Sequence, residues 1–112
     1  MNSFNRAVVI RNGVALICGL FLTALAIPPA MISAGAGHGS YRVASLLFPM
    51  TVFLAVLGHW GVGAIAIAIC QFSFYSLLLA NVGSNKRYSV LAVILFVHLL
   101  GFLLLPGIIA GV

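Results

Sequence analysis

The chain of 112 residues contains no aspartate and no glutamate. Its five charged side chains are all basic and make up 4% of the residues, whereas a soluble domain carries about 25%. Because 64% of the residues are hydrophobic, the remaining polar side chains cannot cover the surface of a water-soluble fold. The composition therefore predicts a multi-pass integral membrane protein in contact with the lipid bilayer. It also argues against nucleic-acid binding, since five dispersed cations form no continuous basic surface.

Four apolar stretches are separated by polar or glycine-rich segments. A membrane-spanning helix needs about 20 mostly apolar residues, and we predict spans at about residues 12–32, 41–57, 62–80 and 89–109. Helices satisfy their backbone groups inside lipid, whereas one short chain with continuous apolar runs cannot close a barrel. We therefore predict an all-α, single-domain transmembrane protein, with four helices in an up-down-up-down bundle and both termini on one side.

The third span has an alternative interpretation as a strand. Residues 61–70 alternate small and large side chains with a period of two, which is typical of a strand. A lone strand in lipid would leave unpaired backbone groups, so we predict a helix. As a helix it carries two small-residue stripes, Ala64/Ala68 and Ala66/Cys70, which allow close approach of neighbours and favour a central place in the bundle.

The first span also has an alternative. Two arginines, an apolar core, Pro28-Pro29 and the Ala-x-Ala sequence at 34–36 are together typical of a cleavable signal peptide. We favour a retained helix, in which Ala15, Gly19 and Thr23 form one narrow stripe at a spacing of four. Small residues on that stripe predict close packing against a neighbouring helix.

Basic residues give little information about orientation in the four-span arrangement. Arg6 and Arg11 would lie on one side and Arg42, Lys86 and Arg87 on the other, which is a bias of one charge. Such a balance fits insertion in both orientations and also orientation by a partner protein.

Lipid headgroups are the expected ligands of the basic residues near the span ends. Arg42, Lys86 and Arg87 are the candidate headgroup contacts. The glycine-rich segment 33–40 before Arg42 is either a flexible connector or a cradle for a lipid phosphate.

The missing carboxylates exclude several kinds of chemistry. A Ser-His-Asp triad, a pair of catalytic carboxylates and a calcium or magnesium site cannot be built from these side chains. Cys18 and Cys70 lie in separate spans without C-x-x-C spacing, so we expect them to be small packing residues. Axial haem ligation would require two histidines at one depth, and only a second copy of His98 could provide that pair. We predict a protein that is not an enzyme and has no cofactor or metal site.

The residues at the middle of the four spans form the strongest candidate site. Thr23, Pro49, Gln71 and His98 are expected in one layer at the bilayer midplane. Pro49 should kink its helix and free the Ser45 carbonyl. Gln71 and a neutral His98 should satisfy each other, so that removing both would be milder than removing one. Interhelical hydrogen bonding and a small binding or permeation site are both consistent with this layer.

In size and span number the chain is similar to small multidrug-resistance exporters and to dual-topology fluoride channels. The first-helix glutamate of the exporters is missing here, and no motif of the fluoride channels occurs, so no family is assigned. Our leading hypothesis is an accessory, assembly or immunity-type subunit that packs against another membrane protein. The alternative is a homo-oligomeric channel or exporter, of single or dual topology, for an anion, a neutral solute or a lipid.

Overall fold

The computed structural model describes residues 2–35, 41–56, 58–59 and 61–110. Within them 93% of the residues are helical and no strand occurs, so the helical interpretation of residues 61–70 is confirmed. Residues 36–40 of the glycine-rich segment lie outside the described residues, and residues 33–35 are the end of the first helix. The helices are α1 (Ser3–Gly35), α2 (Arg42–Leu47), α3 (Pro49–Val56), α4 (Gly61–Asn81) and α5 (Arg87–Ala110), with a 3-10 turn at Ser84–Lys86 before α5.

Three helices of the described chain are long and apolar enough to cross a membrane, where the sequence predicted four. They are α1, α4 and α5, the last counted together with its preceding turn. The expected second span, residues 41–57, contains instead the short helices α2 and α3. At about 1.5 Å per residue, neither crosses a hydrocarbon layer about 30 Å thick.

Helices α1 and α4 are antiparallel neighbours. Arg11, in the third turn of α1, donates a hydrogen bond to Asn81 at the end of α4, and the Thr23 hydroxyl lies 3.4 Å from the Ile69 carbonyl halfway along α4. The end of the bundle that contains Arg11 and Asn81 is called the Arg11 end below.

Helix α2 enters the bundle from the opposite end, which we call the Arg42 end. The backbone N–H of Val43 donates to Ser33 Oγ, near the last turn of α1, at 3.3 Å. Four residues later, the Leu47 carbonyl accepts a hydrogen bond from Gln71, in the middle of α4. Helix α2 therefore stops about halfway through the bundle.

Helix α3 returns to the end from which α2 entered. Val56, its last residue, lines a cavity together with Ile65 on the first turns of α4. Only residues 57–60 separate α3 from Gly61, where α4 begins. Helices α2 and α3 thus form a hairpin, residues 42–56, whose tip lies inside the bundle.

The tip of the hairpin is Phe48, with φ −133° and ψ 61°. A residue before proline is disfavoured in the α conformation, and Pro49 is suited to the first position of a new helix. The predicted kink at Pro49 is therefore a reversal of the chain. Proline alone does not cause it, because Pro28, Pro29 and Pro106 lie inside continuous helices.

Helix α5 starts at the Arg11 end and joins the bundle mainly through the hairpin. Leu105 packs into an apolar cluster with residues of α1 and the hairpin, including Phe48. Direct contacts between α4 and α5 are sparse. The hairpin, rather than α4, is therefore the central element, which corrects the expectation for residues 62–80.

This topology changes the predicted distribution of charge. Arg6 and Arg11 lie on the first turns of α1, and Lys86 and Arg87 lie where α5 begins, all at the Arg11 end. Arg42 begins α2 at the opposite end. Asn2 and Ala110, the first and last described residues, are likewise at opposite ends of the bundle. The predicted two-to-three division of the cations is therefore wrong.

Small residues are buried on α1, whereas on α4 some are buried and others are exposed. The predicted packing stripe on α1 is confirmed, because Ala15, Gly19 and Thr23 are all buried. On α4, Ala64 is buried whereas Ala66 is exposed. Both cysteines are exposed as well, so Cys18 and Cys70 do not pack in the interior of this chain.

Candidate functional site

A cluster of polar groups surrounds the tip of the hairpin. Pro49 has no N–H to donate to the Ser45 carbonyl, and the reversal at Phe48 removes the next backbone donors as well. Two of the carbonyls left at the end of α2 are reached by side chains. Gln71 Nε2 donates to the Leu47 carbonyl at 3.1 Å, and His98 Nδ1 donates to the Leu46 carbonyl. Helices α4 and α5 thus cap the broken helix from two sides.

These bonds fix the state of the imidazole. A carbonyl can only accept, so we assign the proton of His98 to Nδ1, and Nε2 is then an acceptor. Gln71 Nε2 lies 3.4 Å from His98 Nε2, and the Tyr75 hydroxyl lies at the same distance from it. This nitrogen has one lone pair, so it accepts from one of the two groups at a time, which is consistent with a neutral histidine.

The Ser45 carbonyl lies against a glycine of α5. A Cβ added to Gly101 would stand 2.6 Å from the Ser45 oxygen and 2.6 Å from Pro49 Cβ. A Cβ atom does not approach non-bonded atoms this closely, so only glycine admits this approach. Helix α5 therefore contacts the hairpin tip through both His98 and Gly101, which lie one turn apart.

Four buried polar atoms have no hydrogen-bond partner among the described residues. Two lie at the hairpin tip, Gln71 Oε1 and Ser45 Oγ, and the others are Thr51 Oγ1 and Ser73 Oγ. Ser45 is fully buried and Gln71 is 6% exposed. Rotating the Gln71 amide would set its oxygen against the Leu47 carbonyl, so the unpartnered oxygen is a necessary result of the cap.

Aromatic rings cover the cluster. Tyr75 meets the His98 ring edge-on with centroids 5.6 Å apart, and Phe72 lies 6.2 Å from the same ring. Phe48 packs edge-to-face on Phe72 at 5.5 Å. This apolar cover lowers the local dielectric and strengthens the hydrogen bonds beneath it.

The structure brings three of the four predicted midplane residues to one place. Gln71 and His98 meet at the hairpin tip, and Pro49 begins the helix that follows it. Thr23 is separate: its hydroxyl donates to the Gly19 carbonyl at 2.9 Å and lies 3.4 Å from the Ile69 carbonyl.

The three candidate headgroup residues do not form one group. Lys86 and Arg87 are exposed at the Arg11 end, and Arg42 is exposed at the other end.

Sequence reasoning missed Tyr75 and Gly101. Tyr75 is four residues from Gln71 and Gly101 is three from His98, so helical spacing could have placed each beside its polar neighbour. The caps on the Leu46 and Leu47 carbonyls could not be found from spacing, because no reversal of the helix was predicted. Within the described part of the chain, no group of three His, Cys, Asp or Glu residues could hold a metal ion.

No protein-family model matches the chain, and no curated protein or solved structure is significantly similar to it.

Proposed function

We propose that this chain is a small, non-enzymatic membrane protein that acts as an accessory, assembly or immunity-type subunit by packing against another membrane protein. The supporting observation is that the two side chains that cap the hairpin tip do so within the chain. Gln71 Nε2 donates to the Leu47 carbonyl and His98 Nδ1 donates to the Leu46 carbonyl, so this cap is complete without a ligand. Large apolar side chains are exposed on the outer surface, which is available to another membrane protein.

The outer face of α4 is suited to a helix partner. Ala66 and Cys70 lie four residues apart and are both exposed, so no residue of the described chain covers them. Small side chains let a second helix approach closely in lipid, where association depends on packing. We infer that this face receives the partner.

A test of the partner compares two matched substitutions. Ala66→Leu adds bulk to the proposed face, and Ala92→Leu makes the same change on an exposed position of α5. We expect the tagged wild-type chain and Ala92→Leu to purify in mild detergent with one stoichiometric membrane protein, which Ala66→Leu loses. Retention of that protein by Ala66→Leu would contradict the assigned face, and purification of the chain alone would contradict the function.

We further propose three membrane spans with a re-entrant hairpin. Irregular backbone is tolerated at membrane depth only where protein or a water-filled cavity surrounds it, and the hairpin tip is enclosed by α4 and α5. Four of the five cations are at the Arg11 end, so the positive-inside rule puts that end in the cytoplasm. Reporters fused to the two ends of the chain should then report opposite compartments, with the amino end inside. Reports from the same compartment would favour four spans.

A second candidate is a homo-oligomeric channel or exporter for an anion, a neutral solute or a lipid. Gln71 Oε1 and Ser45 Oγ favour it, because they are buried and unpartnered beside a broken helix. It predicts a stable homo-oligomer whose flux in liposomes is lost in Ser45→Ala, a change that leaves the carbonyl caps in place. A monomer with no flux would exclude it.

A further inference from the structure

A cleft of about 590 Å³ opens at the Arg11 end, between the first turns of α5 and the neighbouring ends of α1 and α4. Its wall combines two arginines with a hydroxyl, a tyrosine and aliphatic side chains. The lining residues are Arg11, Leu79, Ala80, Ser84, Arg87, Tyr88 and Leu91.

Each of the two guanidinium groups donates one hydrogen bond within the chain and keeps its other N–H groups free. Arg11 Nη2 donates to Asn81 Oδ1 at 2.7 Å, and the Asn81 amide is fixed in turn by Asn12 Oδ1 at 2.9 Å. Arg87 Nε donates to the Val82 carbonyl at 3.3 Å. Each guanidinium has five N–H donors, so each keeps at least two on one edge for an external acceptor.

The cleft contains no acidic side chain. The sequence contains no Asp or Glu, so neither Arg11 nor Arg87 can pair with a carboxylate side chain of the chain. An anion that pairs with these two cations would therefore come from another molecule. Phosphate oxygens match the planar donor pattern of arginine better than any other common anion except carboxylate.

The cleft continues into an apolar groove. Leu79 and Leu91 line both the cleft and an adjoining cavity of about 330 Å³. That cavity follows α5 past Ile94 and Leu95 towards the middle of the bundle. The groove exists because α4 and α5 diverge, each contacting the hairpin more than the other.

We propose that this cleft and groove bind an anionic phospholipid. Its phosphate lies between Arg11 and Arg87, and one acyl chain follows Leu79 and Leu91 into the groove. A water-soluble phosphate would leave the apolar groove unused, and a neutral lipid would leave the two arginines without a net counter-charge. The headgroup candidates from sequence were Arg42, Lys86 and Arg87, whereas in the structure Arg87 shares the cleft with Arg11.

The test uses the full-length chain in a mild detergent, titrated with phosphatidylglycerol or with phosphatidylcholine of the same acyl chains. Both lipids present a phosphate, but the choline cation of phosphatidylcholine is repelled by the two arginines, so we expect phosphatidylglycerol to bind at least about tenfold more tightly. Arg11→Gln and Arg87→Gln should each remove most of this preference. Arg42→Gln, which removes the same charge at the other end, should keep it.

Two further measurements distinguish a phospholipid from a free phosphate as the ligand. Glycerol phosphate, which has the headgroup chemistry without acyl chains, should not compete at millimolar concentration. Leu91→Trp, which fills the groove, should weaken binding of both lipids while the arginines remain. If a glutamine variant does not fold, the corresponding lysine variant replaces it. It should bind both lipids more weakly, because lysine cannot form the bidentate phosphate contact, and it should keep the preference, because it keeps the charge.

Several outcomes would overturn the proposal. Equal affinity for the two lipids would show that the headgroup is not selected, and an equal loss in Arg42→Gln would reduce the effect to net charge. Effective competition by glycerol phosphate, or unchanged lipid binding in Leu91→Trp, would remove the acyl-chain site.

Discussion

The contact between α1 and α4 and the contact between the hairpin and α5 are built differently. Along α1 and α4, small residues bring two regular helices together, and Gly19 lies directly on the backbone of Ser73. At the hairpin, a helix is interrupted and its free carbonyls are capped by Gln71 and His98.

The difference shows two ways to join helices where water is absent. Regular helices have no backbone groups to satisfy, so close van der Waals packing is sufficient. A broken helix exposes polar groups that cost several kcal/mol each in lipid, so its neighbours must bring hydrogen-bond donors. The first contact should therefore depend on side-chain size and the second on side-chain polarity.

The largest effect of a single substitution is expected at Gly19. A Cβ there would lie 2.6 Å from the Ser73 nitrogen and 2.8 Å from the Phe72 carbonyl carbon, both rigid backbone atoms. Gly19→Ala should lower the free energy of unfolding by about 3 kcal/mol, measured by denaturation in detergent. Gly13→Ala is the control, because no described atom lies within 4 Å of its added Cβ and alanine favours the helix. Equal stability of the two variants would mean that α1 does not pack on α4 as described.

Replacing the polar residues that cap the hairpin should lower the stability by the next largest amount. Gln71→Leu and His98→Leu each leave a backbone carbonyl uncapped, and each should cost about 2 kcal/mol. The double variant should be less stable than either single one, because the Leu46 and Leu47 carbonyls both remain. This reverses the expectation from sequence, in which Gln71 and His98 satisfied only each other. A double variant milder than either single variant would restore that earlier interpretation.

Gly101 tests whether size also matters at the hairpin. Gly101→Ala should cost about 1–2 kcal/mol, less than Gly19→Ala, because the short hairpin can move away more easily than the long helix α4. Gly107→Ala, with no described atom within 4 Å of the added Cβ, should change the thermal midpoint little. A larger loss at Gly101 than at Gly19 would show that the hairpin is the more rigid contact.

The smallest effect is expected from removing a hydrogen bond at the packed contact. Thr23→Val keeps the shape and loses the bond to Gly19, which should cost about 0.6 kcal/mol or less. Thr23→Ser keeps the hydroxyl and loses a buried methyl group, and it should cost more, about 1 kcal/mol. The opposite order in thermal unfolding would mean that polarity stabilises this contact too.

Composition and periodicity were sufficient to predict part of the fold. The helical class, the limits of α4 and α5 within a few residues, and the buried stripe at Gly19 all follow from apolar length and small-residue spacing. Residues 41–57 were different, since their length and apolarity fitted a fourth span. Whether a proline is absorbed in a helix or reverses it depends on donors elsewhere in the chain, here on Gln71 and His98. The predicted division of the cations between the two ends was wrong for the same reason. Because the chain reverses within residues 42–56, each later helix begins at the end opposite to the one predicted, and Lys86 and Arg87 come to the Arg11 end.

The capped hairpin also has a consequence for the order in which the protein is made. Leu47 receives its hydrogen bond from a residue 24 positions later, and Leu46 receives its bond from one 52 positions later. During synthesis from the amino end, residues 42–56 are therefore complete well before the side chains that satisfy their backbone exist. In the proposed three-span arrangement, the Leu46 carbonyl therefore stays uncapped until His98 on α5 has been made.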